Sequence, residues 1–306
     1  MFANCRKCEN ERILFAMFCE EIVYTGENVK LKAFYHPVSP ELPTRVKLPS
    51  VVICPGGGYE YCSDREADIV AAQFLAAGFQ AFVFTYSVGN DAEYPRPLVE
   101  LSKAMKDIRA NADKWNLDPD KITVGGFSAG GHLAASLGTL WNDPEIVKLS
   151  GCENGENKPN LLFLGYPVTT VSWMKLGEEG KNGLARIIGK KNPDDVIPKI
   201  DVTKNIGKHT PSAFIFHTFT DNIVPVEDSL LFAEVLAKNN IPFDLHIFSN
   251  GYHGMSIARE PVGCIDWDFS KWVPMCVDWI KRKWKFEGYG ATTNPEERQH
   301  LDEKYL

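Results

Sequence analysis

The chain has 306 residues, 44% hydrophobic and 24% charged, the composition of an ordinary globular protein with room for one large α/β domain or two small ones. Its formal net charge is −7 and it has no basic run, which argues against nucleic acid or an anionic membrane surface as partner. The longest apolar stretch, IVAAQFLAAGFQAFVF (69–84), is interrupted by Gln73, Gly78 and Gln80, so it reads as a helix end followed by a buried strand, not a membrane span.

In chain order, the first element to judge is ILFAMF, which is short for a secretory core and runs into CEE instead of a small-residue cleavage site. The expectation is a cytoplasmic protein whose eight cysteines stay reduced. Cys5 and Cys8 make one CxxC pair, half of what structural zinc requires, so no metal is expected. Residues 1–19 match no later element and are read as an extension, with Met17 a candidate translation start.

EEIVYTG (20–26) and VKLKAFYHP (29–37) open the domain as strands, the second alternating apolar and polar residues as a sheet with one wet face does. VVIC (51–54) and AFVFTY (81–86) are apolar throughout, as strands covered on both faces are, and DREADIVAAQFLAAG (64–78) between them has helical spacing and a glycine stop. PLVELSKAMKDIRANADKW (97–115) is an amphipathic helix, NLDPDK a turn, ITVGG (122–126) a strand and SAGGHLAASLGTL (128–140) a helix. Strands LLFLG (161–165), AFIFHT (213–218) and FDLHIF (243–248) follow, with helices at 224–239 and 270–284. Such alternation predicts an α/β fold: a mostly parallel central sheet with helices on both faces, in one domain over 20–287. Residues 166–211 are too long for a bare connection and are expected to form a small lid with short helices of its own. Residues 288–306 are a polar tail.

Chemistry concentrates at VGGFSAGGHLA (124–134). Gly126-Phe127-Ser128-Ala129-Gly130 is a G-x-S-x-G run with an apolar strand before it and a helix after it, the setting of a nucleophile elbow. A Gly-rich turn with Ser128 as helix N-cap would look the same, so partners must decide. A serine hydroxyl needs a base to take its proton and a carboxylate to orient that base, and in this architecture they follow in the order acid, then histidine. Asp221 lies just past AFIFHT and His253 in the polar glycine-rich loop after FDLHIF. His217 and His246 fall inside strands, His209 in the insertion, and His132 one turn along the serine's own helix, all structural positions. For the oxyanion, CPGGGY offers the amides of Gly57 and Gly58, and the residue after the nucleophile offers that of Ala129. A nucleotide-phosphate role for the triple glycine finds no G-x-G-x-x-G or GK[ST] and no helix opening directly behind it.

CPGGGY, GFSAGGHLA, TDNIVP and GYHG together resemble the α/β-hydrolase-fold carboxylesterases, in the branch that groups hormone-sensitive-lipase-like enzymes with bacterial acetyl-xylan and feruloyl esterases. The likeness spans about 20–286. Pro55 stands where that family usually has the histidine of His-Gly-Gly-Gly, which weakens the link to the lipase-like branch and leaves the amide donors intact. The resemblance implies a serine esterase without cofactor, acting on short acyl esters, including acetylated or feruloylated sugars or xylo-oligosaccharides. Tyr59, Tyr61 and Tyr252 are candidate substrate contacts, with Tyr166 and Trp173 as further aromatics near strand ends or in the insertion. An amide hydrolase of the same fold, an acyltransferase and a noncatalytic binding protein are the alternatives. Glycosidase chemistry needs a flanking carboxylate pair that the sequence does not single out.

Overall fold

The computed structural model describes residues 18–24, 28–39, 42, 46–171 and 177–284. The Cys5–Cys8 pair, Met17, Trp173 and the polar tail lie outside the described residues.

Eight strands, β1 (Phe18–Val23), β2 (Lys30–Tyr35), β3 (Leu48–Cys54), β4 (Gln80–Thr85), β5 (Leu117–Phe127), β6 (Leu161–Gly165), β7 (Ala213–Thr218) and β8 (Phe243–Phe248), form one sheet. Their order is β1-β2-β4-β3-β5-β6-β7-β8. β1 and β2 pair antiparallel, as does β2 with β4, and every later pairing is parallel. Every residue of β3, β6 and β7 is buried, as sheets covered on both faces require.

Two apolar layers do the covering. On one face lie α2 (Arg96–Ala110), α3 (Ser128–Leu140) and α7 (Glu227–Lys238), packed through Leu101, Met105, Leu133, Leu137 and Phe232. On the other lie α1 (Asp68–Ala76) and α8 (Trp272–Lys283), where Phe216 stacks on Trp272 with ring centroids 4.3 Å apart. Between β6 and β7 the chain forms α5 (Gly177–Ile188) and α6 (Pro193–Ile200).

Two segments differ from the sequence reading. LDPDK, expected as a turn, is the start of β5: Leu117 pairs with Leu48, and a register shift separates that pair from the regular ladder that begins at Ser50 and Ile122. Tertiary pairing there outweighs the turn chemistry of Asp and Pro. An additional helix, α4 (Pro144–Ser150), follows α3; Asp143 caps its first turn by accepting from the Glu145 amide, and Gly151 ends it in the left-handed region with φ of 72°.

The topology fixes where a site can form. From β3 the chain moves to one side to make β4, then returns to the other side of β3 to make β5. The loops leaving the carboxyl ends of β3 and β5 therefore diverge, and a crevice opens between them at this switch point.

Candidate active site

Ser128 stands at that crevice, at the junction of β5 and α3. Phe127 is extended, with φ of −125° and ψ of 139°, and Ser128 takes a φ of 52°, which turns the chain from strand into helix in one residue. A left-handed conformation at a non-glycine residue costs on the order of 1–3 kcal/mol, and the surroundings must hold it. They do so by close packing. A Cβ at Gly130 would lie 2.1 Å from the Cys54 carbonyl oxygen, and one at Gly126 2.4 Å from that of Gly130. The small residues around Ser128 let the start of α3 press against the end of β3.

The partners arrive on the ends of two later strands. His253, in the loop after β8, has Nε2 2.8 Å from Ser128 Oγ and Nδ1 2.7 Å from Asp221 Oδ2. Asp221, just past β7, is deeply buried; its Oδ1 accepts the amides of Ile223 and Val224, each at 2.9 Å. Oδ2 also lies 3.3 Å from Nε2 of His217, an entirely buried ring whose Nδ1 meets the Ser229 hydroxyl. Burial alone would raise the Asp221 pKa. The hydrogen bonds from His217 and His253, the charge on His253 and the Ile223 amide outweigh it and hold the carboxyl well below the usual range.

Three further histidines are committed elsewhere. His132 sits between the Tyr59 hydroxyl, which donates to its Nδ1 at 2.7 Å, and the Ile200 carbonyl, 2.7 Å from Nε2. Burial lowers its pKa and keeps it neutral. His209 meets the Thr139 carbonyl, and His36 that of Leu75.

In front of Ser128 is a cavity of about 290 Å³. Gly57, Gly58 and Ala129 line it together with Ser128 and His253. The amides of Gly57 and Gly58 make no hydrogen bond within the described residues, so they are free to donate to a ligand. Val168 and Ile223 contribute apolar lining; Glu60, Arg65, Asn182 and Arg186 contribute polar lining. Arg186 reaches from α5 to the turn after β3, pairing with Glu60 at 2.8 Å and donating to the Gly58 carbonyl at 3.4 Å.

Of the three tyrosines proposed as substrate contacts, Tyr61 lines the cavity and is exposed. Tyr59 also borders it, but its ring is buried against Tyr86 and its hydroxyl is taken by His132. Tyr252 is exposed and is not among the lining residues. Tyr166 is buried in T-shaped contact with the His253 ring, centroids 5.0 Å apart.

Two buried acids had no sequence signal of function. Glu66 accepts the Gly56 amide and the Tyr166 hydroxyl. Asp228, in the first turn of α7, accepts the amides of Thr169 and Thr170 and the Thr170 hydroxyl, so it clamps the loop after β6 whose Val168 faces Ser128. Burial raises its pKa to about 6 against those hydrogen bonds. Among the described residues, no group of three or more His, Cys, Asp or Glu side chains is arranged to hold a metal ion, and no helix is long and apolar enough to cross a membrane.

Comparison with known proteins gives the following. A family model described as BD-FAE matches residues 39–236. Over 223 residues the chain is 33% identical to endo-1,4-beta-xylanase B of Butyrivibrio fibrisolvens, covering 70% of this chain and 34% of that protein. More generally, it spans about a third to a half of the length of the first curated relatives it matches. Two solved structures align over most of both chains. MGS-M1, an alpha/beta hydrolase from a Medee basin deep-sea metagenome library, is 33% identical with a TM-score of 0.69, covering 87% of this chain and 97% of its own. The acetyl ester-xyloside bifunctional hydrolase of Caldicellulosiruptor lactoaceticus is 31% identical with a TM-score of 0.70, covering 85% and 89%.

Proposed function

Because the chain belongs to the BD-FAE family and has the α/β-hydrolase fold, we propose that it is a serine carboxylesterase cleaving short acyl esters of sugars or xylo-oligosaccharides, acetyl esters first. One observation carries the reading: a continuous hydrogen-bonded path from Ser128 Oγ through His253 to Asp221, opening onto a cavity with unpaired amides.

In the proposed reaction Ser128 gives its proton to His253 Nε2 as Oγ attacks the ester carbonyl, while Nδ1–H donates to Asp221 and fixes the tautomer. Negative charge collects on the carbonyl oxygen, where the amides of Gly57, Gly58 and Ala129 receive it; one such donor is worth about 3–4 kcal/mol of barrier. The tetrahedral intermediate collapses, His253 protonates the leaving alcohol, and the acyl group stays on Ser128. Water, deprotonated by His253, then releases the acid and restores the serine.

The cavity's mixed lining supports the substrate class. A short acyl chain suits apolar lining such as Val168 and Ile223, and a hydroxyl-rich alcohol suits Glu60, Arg65, Asn182 and Arg186. The site of action proposed is the cytoplasm. The test is a panel of acetyl, butyryl and feruloyl esters, acetylated xylo-oligosaccharides, N-formyl amides and dipeptides. Preference for acetyl esters supports the reading; turnover of amides alone would replace it with an amide hydrolase.

A further inference from the structure

Glu66 borders the cavity, 4% exposed, with no cation in ion-pair contact among the described residues. A lone carboxylate is costly to bury, so its hydrogen bonds must account for it. There are two. Oε2 accepts the Gly56 amide at 2.8 Å, and Oε1 accepts the Tyr166 hydroxyl at 2.5 Å. The Tyr166 oxygen in turn accepts the Ser256 amide at 3.0 Å. Ser256 stands three residues past His253, with φ of 53°, and its carbonyl is held by Trp272 Nε1 at 2.8 Å.

We infer that Glu66 is a positioning residue for the proposed esterase reaction, one carboxylate that sets the oxyanion turn after β3 and the His253 loop in register with Ser128. The geometry is tight. A Cβ on Gly56 would fall 2.6 Å from Glu66 Oε2, 2.8 Å from the Phe127 carbonyl and 3.0 Å from Ser128 Cβ. The turn therefore passes between the carboxylate and the nucleophile, and the carboxylate grips the amide immediately before the two free ones of Gly57 and Gly58. At its other end the Tyr166 ring makes a T-shaped contact with the imidazole, so the hydroxyl bond to Glu66 also fixes what His253 rests against. Glu66 touches no reacting atom. It acts through Gly56 and through Tyr166.

This inference rests on the serine-hydrolase reading, and the two can fail separately. The experiment compares wild type with Glu66→Ala, Glu66→Gln and Tyr166→Phe. It reads the rate of Ser128 labelling by a fluorophosphonate, together with kcat and KM on p-nitrophenyl acetate, well below each protein's melting temperature. Wild type that neither labels nor turns over refutes the hydrolase reading, and the inference with it.

With wild type active, the result expected for Glu66→Ala is a fall of about 30- to 300-fold in both kcat and labelling rate, with KM within about threefold, because a mis-set amide pair is felt in the transition state. Tyr166→Phe, which keeps the grip on Gly56, should lose about 3- to 30-fold. Glu66→Gln, which keeps the shape and an acceptor for Gly56, should recover at least tenfold over alanine. Folded Glu66→Ala with near-wild-type kcat, or a change confined to KM, overturns the inference. Should that variant not fold, Tyr166→Phe with unchanged kcat and labelling overturns it instead.

Discussion

On the floor of the cavity, where β5 turns into α3 beside the end of β3, backbone lies against backbone: Gly126, Gly130 and the Cys54 carbonyl leave no space for a methyl group. At the roof, α5 meets the same turn through side chains, the Arg186–Glu60 pair and a long bond to the Gly58 carbonyl. Half of each roof contact is exposed surface, where an ion pair is worth about 0–1 kcal/mol. The contrast separates two properties of the enzyme. On the proposed function the floor sets the kind of reaction, because Ser128, His253 and the free amides tolerate little displacement. In the proposed reaction the roof and rim would contact the alcohol, and they can vary without disturbing the chemistry.

The largest effect should come from the floor. Asp221→Asn replaces the acceptor behind His253 and leaves the fold intact; kcat on p-nitrophenyl acetate should fall about 10³–10⁴-fold with little change in KM. A loss below tenfold would mean that the buried carboxylate is structural. Next is a pair of alanine substitutions, one on each surface. Gly130→Ala sets a Cβ 2.1 Å from a backbone oxygen and should cost about 3 kcal/mol or more in urea unfolding. Gly183→Ala on α5 meets only the Gly58 carbonyl at 3.6 Å, and it should be neutral or gain about 0.5–1 kcal/mol from helix propensity. Equal effects at the two sites would erase the distinction.

Asp228 clamps the loop between floor and roof, and it offers a pH test. Its folded pKa, about 6, lies above the ordinary 3.8, so its contribution to stability is full below about pH 4 and is lost as pH rises through 6. Asp228→Asn removes that titration. Between pH 5 and pH 7 the stability of wild type relative to the variant should drop by roughly 1 kcal/mol, measured by urea unfolding. A flat difference would place the titration elsewhere. The smallest effect belongs to the roof: Arg186→Ala should change KM for an acetylated sugar about two- to fivefold and leave kcat within twofold. A hundredfold loss of kcat would make α5 part of the chemistry.

Much of this was readable from the chain because strands announce themselves by apolar runs and the reacting groups follow strand ends. VGGFSAGG carried both the turn and the crowding that demands glycine; TDNIVP and GYHG each followed a recognisable strand. Glu66 escaped notice for a physical reason. In SDREADIV it looks like an exposed acid at the start of a helix, and its partners Gly56 and Tyr166 are 10 and 100 residues away. Burial by tertiary contact leaves no periodic trace. Tyr59 borders the cavity, but that its hydroxyl is taken by His132, 73 residues away, has no local trace either. The helix α4 did carry a local signal, Asp-Pro before it and glycine after it, in the run DPEIVKLSG.

The central claim is that Ser128 is the group acylated during turnover. A fluorophosphonate incubated with the whole chain, followed by peptide mass spectrometry, tests it most directly. One adduct is expected, on the peptide carrying Ser128, formed as ester hydrolysis disappears and absent from Ser128→Ala. Hydrolysis that persists in Ser128→Ala, or an adduct on a different residue, would contradict it.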